Sequence, residues 1–147
     1  MSFTSDLLRG LAQYLNDQGV GVVYKPSGGY LSTDTAVFFK ALPTTPNRCI
    51  AISAYSSSDE AKIALSRLRV QFWFRGNPDN SLDVDDLGDA VFQAMQGLEH
   101  QTFGTAHVVQ ALRVSSVQLG IDGSKRSERT DNYALDVNVP TTAGRPD

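Results

Sequence analysis

The order of elements along this 147-residue sequence predicts an α+β fold, a mixed and mainly antiparallel sheet with two amphipathic helices packed on one face. Three observations carry that expectation. Apolar residues recur at helical spacing in two separated stretches, strand-like alternation lies between and after them, and the regular βαβ repetition of a doubly wound nucleotide-binding fold is missing.

The first helix is expected over Ser5 to Asp17, where Leu7, Leu8, Leu11, Tyr14 and Leu15 gather on one face. Thr4 or Ser5 can cap it, Phe3 can staple onto Leu8, and Gly19 can take the left-handed conformation that ends it. Val20 to Tyr24 reads as a short strand, broken by Pro26, Ser27, Gly28 and Gly29 before a second apolar run from Ala36 to Leu42. After Pro43 and Pro46, the residues Cys49, Ile50, Ala51, Ile52 and Tyr55 predict another strand, closed by the serine cluster Ser56 to Ser58. Ala61 to Leu65 can form a helical turn. The clearest strand follows, with Leu68, Val70, Phe72 and Phe74 alternating with Arg67, Arg69, Gln71, Trp73 and Arg75. It has one apolar and one mostly cationic face, and the helices are expected to cover the apolar one.

Gly76, Asn77 and Pro78 make a turn, and Val84, Leu87, Val91, Met95 and Leu98 mark the second helix, ending near Gly97. Ala106 to Leu119 reads as extended, with a parity change that suggests a bulge or bend. A polar loop from Asp122 to Arg129 leads to the last strand, Tyr133, Leu135, Val137 and Val139, which Pro140 ends. Residues 1–140 are therefore expected to form one domain and 141–147 a flexible tail without an apolar anchor.

Composition narrows the function classes. With 41% hydrophobic and 20% charged residues the chain has the balance of a folded domain, and at this length it can bury roughly 70% of its unfolded surface. Thirteen Lys and Arg against sixteen Asp and Glu give a net charge of −3, which argues against general attraction to nucleic acid. A single cysteine, Cys49, cannot form an internal disulfide and fits a reducing compartment such as cytoplasm. The N-terminal segment lacks the pattern of a signal peptide, and no apolar run is long enough to span a bilayer.

No motif reaches the specificity of a catalytic, cofactor or metal site. Gly19, Val20 and Gly21 begin a GxG, but Tyr24 stands where the dinucleotide pattern needs a third glycine. Gly123 to Lys125 lacks the rest of a P-loop. Asp79, Asp83, Asp85, Asp86 and Asp89 resemble a calcium loop only in density, since Leu87 and Ala94 would occupy ligand positions; caps and dipole partners of a helix start are the simpler reading. His100 and His107 are not at a close ligand spacing with each other or with Cys49, which lies in an apolar run as a buried thiol would. No GxSxG elbow is present. The expectation is a protein without enzymatic activity, cofactor or metal.

The unusual features are on the surface. Trp73 shares a strand face with Arg67, Arg69 and Arg75, an aromatic anchor among planar donors of the kind enriched at protein interfaces; the competing reading is a solvated strand whose Trp packs under a loop. Lys125, Arg126 and Arg129 lie in the hydrophilic loop, which is either a solvated hairpin tip or a binding loop.

The full order of elements resembles the tail terminator family of long-tailed bacteriophages, also labelled minor capsid or tail completion proteins. The resemblance rests on the opening helix (Leu7 to Leu15), the apolar strand running into Pro43, the strands Ile50 to Tyr55 and Arg67 to Phe74, the Asp-rich second helix and the closing long hairpin. It covers nearly the whole chain and contains no signature motif. It implies a virion protein of the tail or neck: a homo-oligomeric ring, of six copies, that caps the tail tube, stops its polymerisation and joins tail to head. Its partners would be the tail tube protein and a head–tail connector or stopper protein, with genomic DNA passing through the lumen without specific binding. On that reading Arg67, Arg69, Trp73 and Arg75 are candidates for the subunit contact, and Lys125, Arg126 and Arg129 for contact with the tube or a neighbouring ring. A head-completion or stopper protein of the phage neck, and a small non-viral dimeric ligand-binding domain, are the alternatives.

Overall fold

A computed structural model describes residues 2–59 and 64–143 of the chain. Its elements are α1 (Phe3–Asp17), β1 (Ala36–Phe39), β2 (Cys49–Asp59), β3 (Leu65–Arg75), α2 (Asp83–Met95), β4 (Glu99–Phe103), β5 (Ala106–Ile121) and β6 (Ser127–Asn138). The strands form one sheet in the order β1-β2-β3-β6-β5-β4, antiparallel at every step except the parallel β1–β2 pair. The protein is thus an α+β fold with a mixed, mostly antiparallel sheet.

Alternation decides which face is buried. Val70, Phe72 and Phe74 of β3 and Tyr133, Leu135 and Val137 of β6 point to one side, where Phe72 meets the Tyr133 ring edge-on at 5.4 Å. Leu7, Leu11 and Leu15 of α1 and Val84, Leu87, Val91 and Met95 of α2 close over that side in one continuous core. Each fully buried Leu or Phe contributes about 1.5–3 kcal/mol, so the shared core, more than helix propensity, holds the two helices.

Several local expectations are corrected. Helix α1 starts earlier than its apolar pattern: Ser2, not Thr4 or Ser5, is the cap, its hydroxyl accepting the Ser5 N–H at 3.1 Å. Gly19, with φ 72°, stands just beyond the C-terminal cap Gln18. Val20–Tyr24 is not a strand. Only Val23 bridges, in parallel, to Ala36, because Gly21 at φ 84° turns the chain and the Asn16 side chain takes the Tyr24 N–H at 3.0 Å. Ser56–Ser58 continue β2 and do not end it; the Ser57 hydroxyl bonds the Arg67 carbonyl across the ladder, beside a bulge between Ser56 and Ser58. Strand β4 has no apolar alternation; it is held to β5 by backbone pairing, with one side-chain bond between Thr102 and His107 at 2.9 Å.

The expected bulging of the long penultimate strand is present as three register shifts between β5 and β6. The hydrophilic loop is much shorter than Asp122 to Arg129: β5 runs to Ile121 and β6 starts at Ser127. The Asp122 carboxylate accepts the N–H groups of Ser124 and Arg126, each at 2.9 Å, and closes the turn. Residues 61–63 of the expected helical turn and 144–147 of the expected tail lie outside the described residues; Leu65 belongs to β3.

Candidate assembly surface

The face of the sheet opposite the helices carries the residues of β3 that alternate with its core positions. Arg67 donates to Asp136 of β6 at 2.9 Å and is exposed. Arg69 lies between Tyr55 of β2 and Ala134 of β6 in the register, and Trp73, half-buried, donates its ring N–H to Glu128 at 2.8 Å. The strand thus presents Arg67, Arg69 and Trp73 on one outer face. Arg75, at the end of the same row, does not: it is 4% exposed and turned under the segment 44–47.

That segment is pinned from two strands. Arg75 donates to the carbonyls of Asn47 and Pro46, each at 2.8 Å, and to that of Thr44 at 3.4 Å. From the β5–β6 turn, Arg126 donates to the Thr44 carbonyl at 2.7 Å and to the Asn47 side chain at 3.2 Å, while Asp122 holds it at 2.9 Å. The two arginines satisfy carbonyls that a non-repetitive segment would otherwise bury unpaired. One end of the outer face is therefore covered by backbone, and the other end is open. Lys125, at φ 62°, is exposed at the turn.

Arg129 points to the opposite face, beneath α2. It grips Asp131 with two bonds of 2.9 Å, reaches Asp85 and Asp89 at 3.1 and 3.2 Å, and is 4% exposed. Its guanidinium pKa is raised by the Asp131 bonds, against the opposing effect of burial. Helix α2 comes so close that a Cβ on Gly88 would lie 2.7 Å from the Arg129 Cζ. Arg113 completes the seam, 3.5 Å from Asp131 with its guanidinium over the Phe92 ring at 4.1 Å. The three arginines assigned to exposed positions, Arg75, Arg126 and Arg129, are thus buried and occupied within the chain.

The acidic cluster works differently from a cap. Leu82 occupies the cap position of α2 and makes no side-chain bond there; Asp83, Asp85 and Asp86 are in the first turn, where they complement the helix dipole. Asp83 also receives Arg48 at 3.1 Å and the Asn77 N–H at 2.7 Å, tying the turn after β3 to the chain before β2. Asp85 and Asp89, four residues apart on one helix flank, carry a detectable signal for a shared cationic partner. Asp131 and Arg113 carry none, because each stands at an ordinary alternating strand position.

Cys49 is buried, and burial pushes its thiol up to about 11, so it is a poor nucleophile. The rings of His100 and His107 lie 5.7 Å apart, with His107 held by the Thr102 hydroxyl at 2.9 Å. Among the described residues no group of three His, Cys, Asp or Glu side chains is arranged to hold a metal. No described helix is long and apolar enough to cross a membrane. An open groove runs between α1 and the β1 edge, bordered by Arg9, Gln13, Lys25, Tyr30, Phe38 and Phe103.

The same fold occurs in a solved structure of the virion of a native gene transfer agent particle, with a TM-score of 0.69 at 12% identity, over 93% of this chain and 98% of that one. No curated protein matches the sequence. Residues 14–139 match the family model described as bacteriophage tail terminator protein, so the chain belongs to that family and is a structural protein of the virion.

Proposed function

We propose that the protein assembles into a closed ring, of six copies, that caps the head-proximal end of the tail tube, stops its polymerisation and provides the surface to which the head joins. The family match over residues 14–139 carries this reading. Its partners are then the tail tube protein on one side and a connector or stopper protein on the other, and genomic DNA passes through the lumen without specific binding. The work is done by surface complementarity and not by catalysis. A ring requires that one patch meet a different patch on the next copy, with a rotation that closes. Arg67, Arg69 and Trp73, on the open part of the outer face, are assigned to such contacts. Arg75, Arg126 and Arg129 support them from within, and Lys125 is assigned to the tube or the neighbouring ring.

Sizing with light scattering, together with electron microscopy of the protein alone and mixed with tail tubes, tests the reading. Rings, free or seated on tube ends, are expected. A monomer that neither forms rings nor binds tubes would overturn it. Trp73→Ala should weaken assembly without unfolding the chain, and Lys125→Glu should lower the yield of joined particles.

A further inference from the structure

Besides the outer sides of the short edge strands β1 and β4, two stretches of longer strands are left, among the described residues, with a strand on one side only, and they suit each other. Strand β1 pairs with β2 only over Cys49–Ile52, so Ser53–Ser58 has β3 on one side and, among the described residues, no strand on the other. Strand β4 pairs with β5 only as far as Gln110, and the chain before β4 reaches Ala111 and Arg113 through Gly97, Leu98 and the Gln96 side chain. Beyond that point Ser115–Ile121 pairs with β6 alone.

These arms lie on opposite edges of the sheet and at opposite ends of it. Ser53 and Ser115 share one row, through Gln71 and Asn132; from that row β2 leads toward Ser58 in one direction and β5 toward Ile121 in the other. Neither arm contains a charged residue or a proline; a bulge in each is the one edge-protecting device present. Val117, Leu119 and Ile121 are 49%, 50% and 67% exposed. The β5 arm is thus an uncharged apolar edge and the β2 arm an uncharged, serine-rich one, and unpaired edges without charge are pairing surfaces.

We infer that the Ser115–Ile121 edge of one copy pairs antiparallel with the Ser53–Ser58 edge of the next, so that one sheet runs continuously around the assembly. The inference rests on the ring reading and adds the contact that builds it. Strands β2 and β5 run in opposite senses in the sheet, so the new pair is antiparallel when both copies present the same face inward. The short strands β4 and β1 then lie above and below the shared pair, each abutting the neighbour's arm end-on. Bringing the arms side by side offsets successive copies by about six residues, or ~20 Å, across four strands that span ~19 Å. That offset inclines the strands by about 45°, a tilt at which sheets close into barrels. The register shifts within both arms, at Ser56/Ser58 and Gln118/Gly120, supply bends of the kind found at barrel rims. The two edges are different surfaces, so the contact is heterologous and propagates from copy to copy until it closes.

Disulfide trapping tests the contact, since the one native thiol, Cys49, is buried. Ser56 and Gln118 pair with Leu68 and Arg129, which places both on the helix side of the sheet. The double variant Ser56→Cys/Gln118→Cys, oxidised as purified protein and in assembled particles, should give a ladder of linked chains ending at the ring number on a non-reducing denaturing gel. Either single variant should remain monomeric, and an equimolar mixture of the two should stop at dimers. Rings visible by microscopy with no ladder in either preparation would overturn the contact and leave the ring intact; absence of rings from solution, tubes and particles would overturn both. Independently, Val117→Lys should lose the ring peak while Val117→Thr keeps it. A Val117→Lys protein with an unchanged melting curve and unchanged rings would overturn the contact.

Discussion

Two arginine–aspartate pairs of the same length sit on opposite faces of one sheet. Arg129 and Asp131, 2.9 Å apart with side chains 4% and 0% exposed, are sealed beneath α2; Arg67 and Asp136, also 2.9 Å apart, are 54% and 19% exposed on the outer face. Their geometry is alike and their energetics are not. In the sealed pair each charge has lost its hydration, so removing Arg129 leaves the buried Asp131 with only the Ser116 hydroxyl at 2.6 Å and the more distant Arg113 at 3.5 Å in place of water. In the open pair water replaces a lost partner at little cost. The first pair holds α2 to the sheet, whereas the second leaves its charge available to another molecule.

The sharpest way to break this contrast is Arg129→Ala, which should destabilise the chain by about 3 kcal/mol in denaturant titration, the low end for a broken buried pair, because Asp131 remains buried with Arg113 as its nearest cation. A loss below 1 kcal/mol would mean that water reaches the seam. Gly88→Ala comes next. Alanine favours a helix interior by about 1 kcal/mol over glycine, yet here the added methyl meets the Arg129 guanidinium, and a net loss of about 1–3 kcal/mol is expected. A stabilised variant would show that α2 can move away from Arg129. Arg75→Ala, which leaves carbonyls of the 44–47 segment without their donor, should cost about 1–3 kcal/mol and expose that segment to limited proteolysis. Arg67→Ala should leave the unfolding midpoint almost unchanged while reducing ring yield. Unfolding at much lower denaturant would assign Arg67 to the fold and remove it from the assembly surface.

The sequence carried most of the architecture because the core is periodic. Leu7, Leu11 and Leu15, and Phe72 and Phe74, declare a helix and a strand through spacing alone, and the covered face follows from parity. Strand β4 was illegible because four of its five residues are exposed and only Phe103 packs on the core, which leaves no alternation to read. The outer face was partly legible. Arg67 and Trp73 stand where alternation put them, but Arg75 shares their parity and is buried, since the deciding object is a segment about thirty residues away folded over it. Arg126 does stand in the turn, but buried against the 44–47 segment; Arg129 read as a loop charge because Ser127 and Thr130 make the start of β6 look polar when its neighbours are hydrogen-bonding groups instead of hydrocarbon.

The pinned segment 44–47 also turns Cys49 into a clock. The thiol is fully buried, with its sulfur 3.9 Å from the Asn47 carbonyl, and a reagent reaches it only when the cover lifts. When reclosing is faster than alkylation, the labelling rate reports the fraction of time that the segment stands open. The parent chain therefore measures its own local opening. A rate that falls when rings form would register, through one native atom, how far subunit association quiets the start of β2, the strand whose later residues form the Ser53–Ser58 edge.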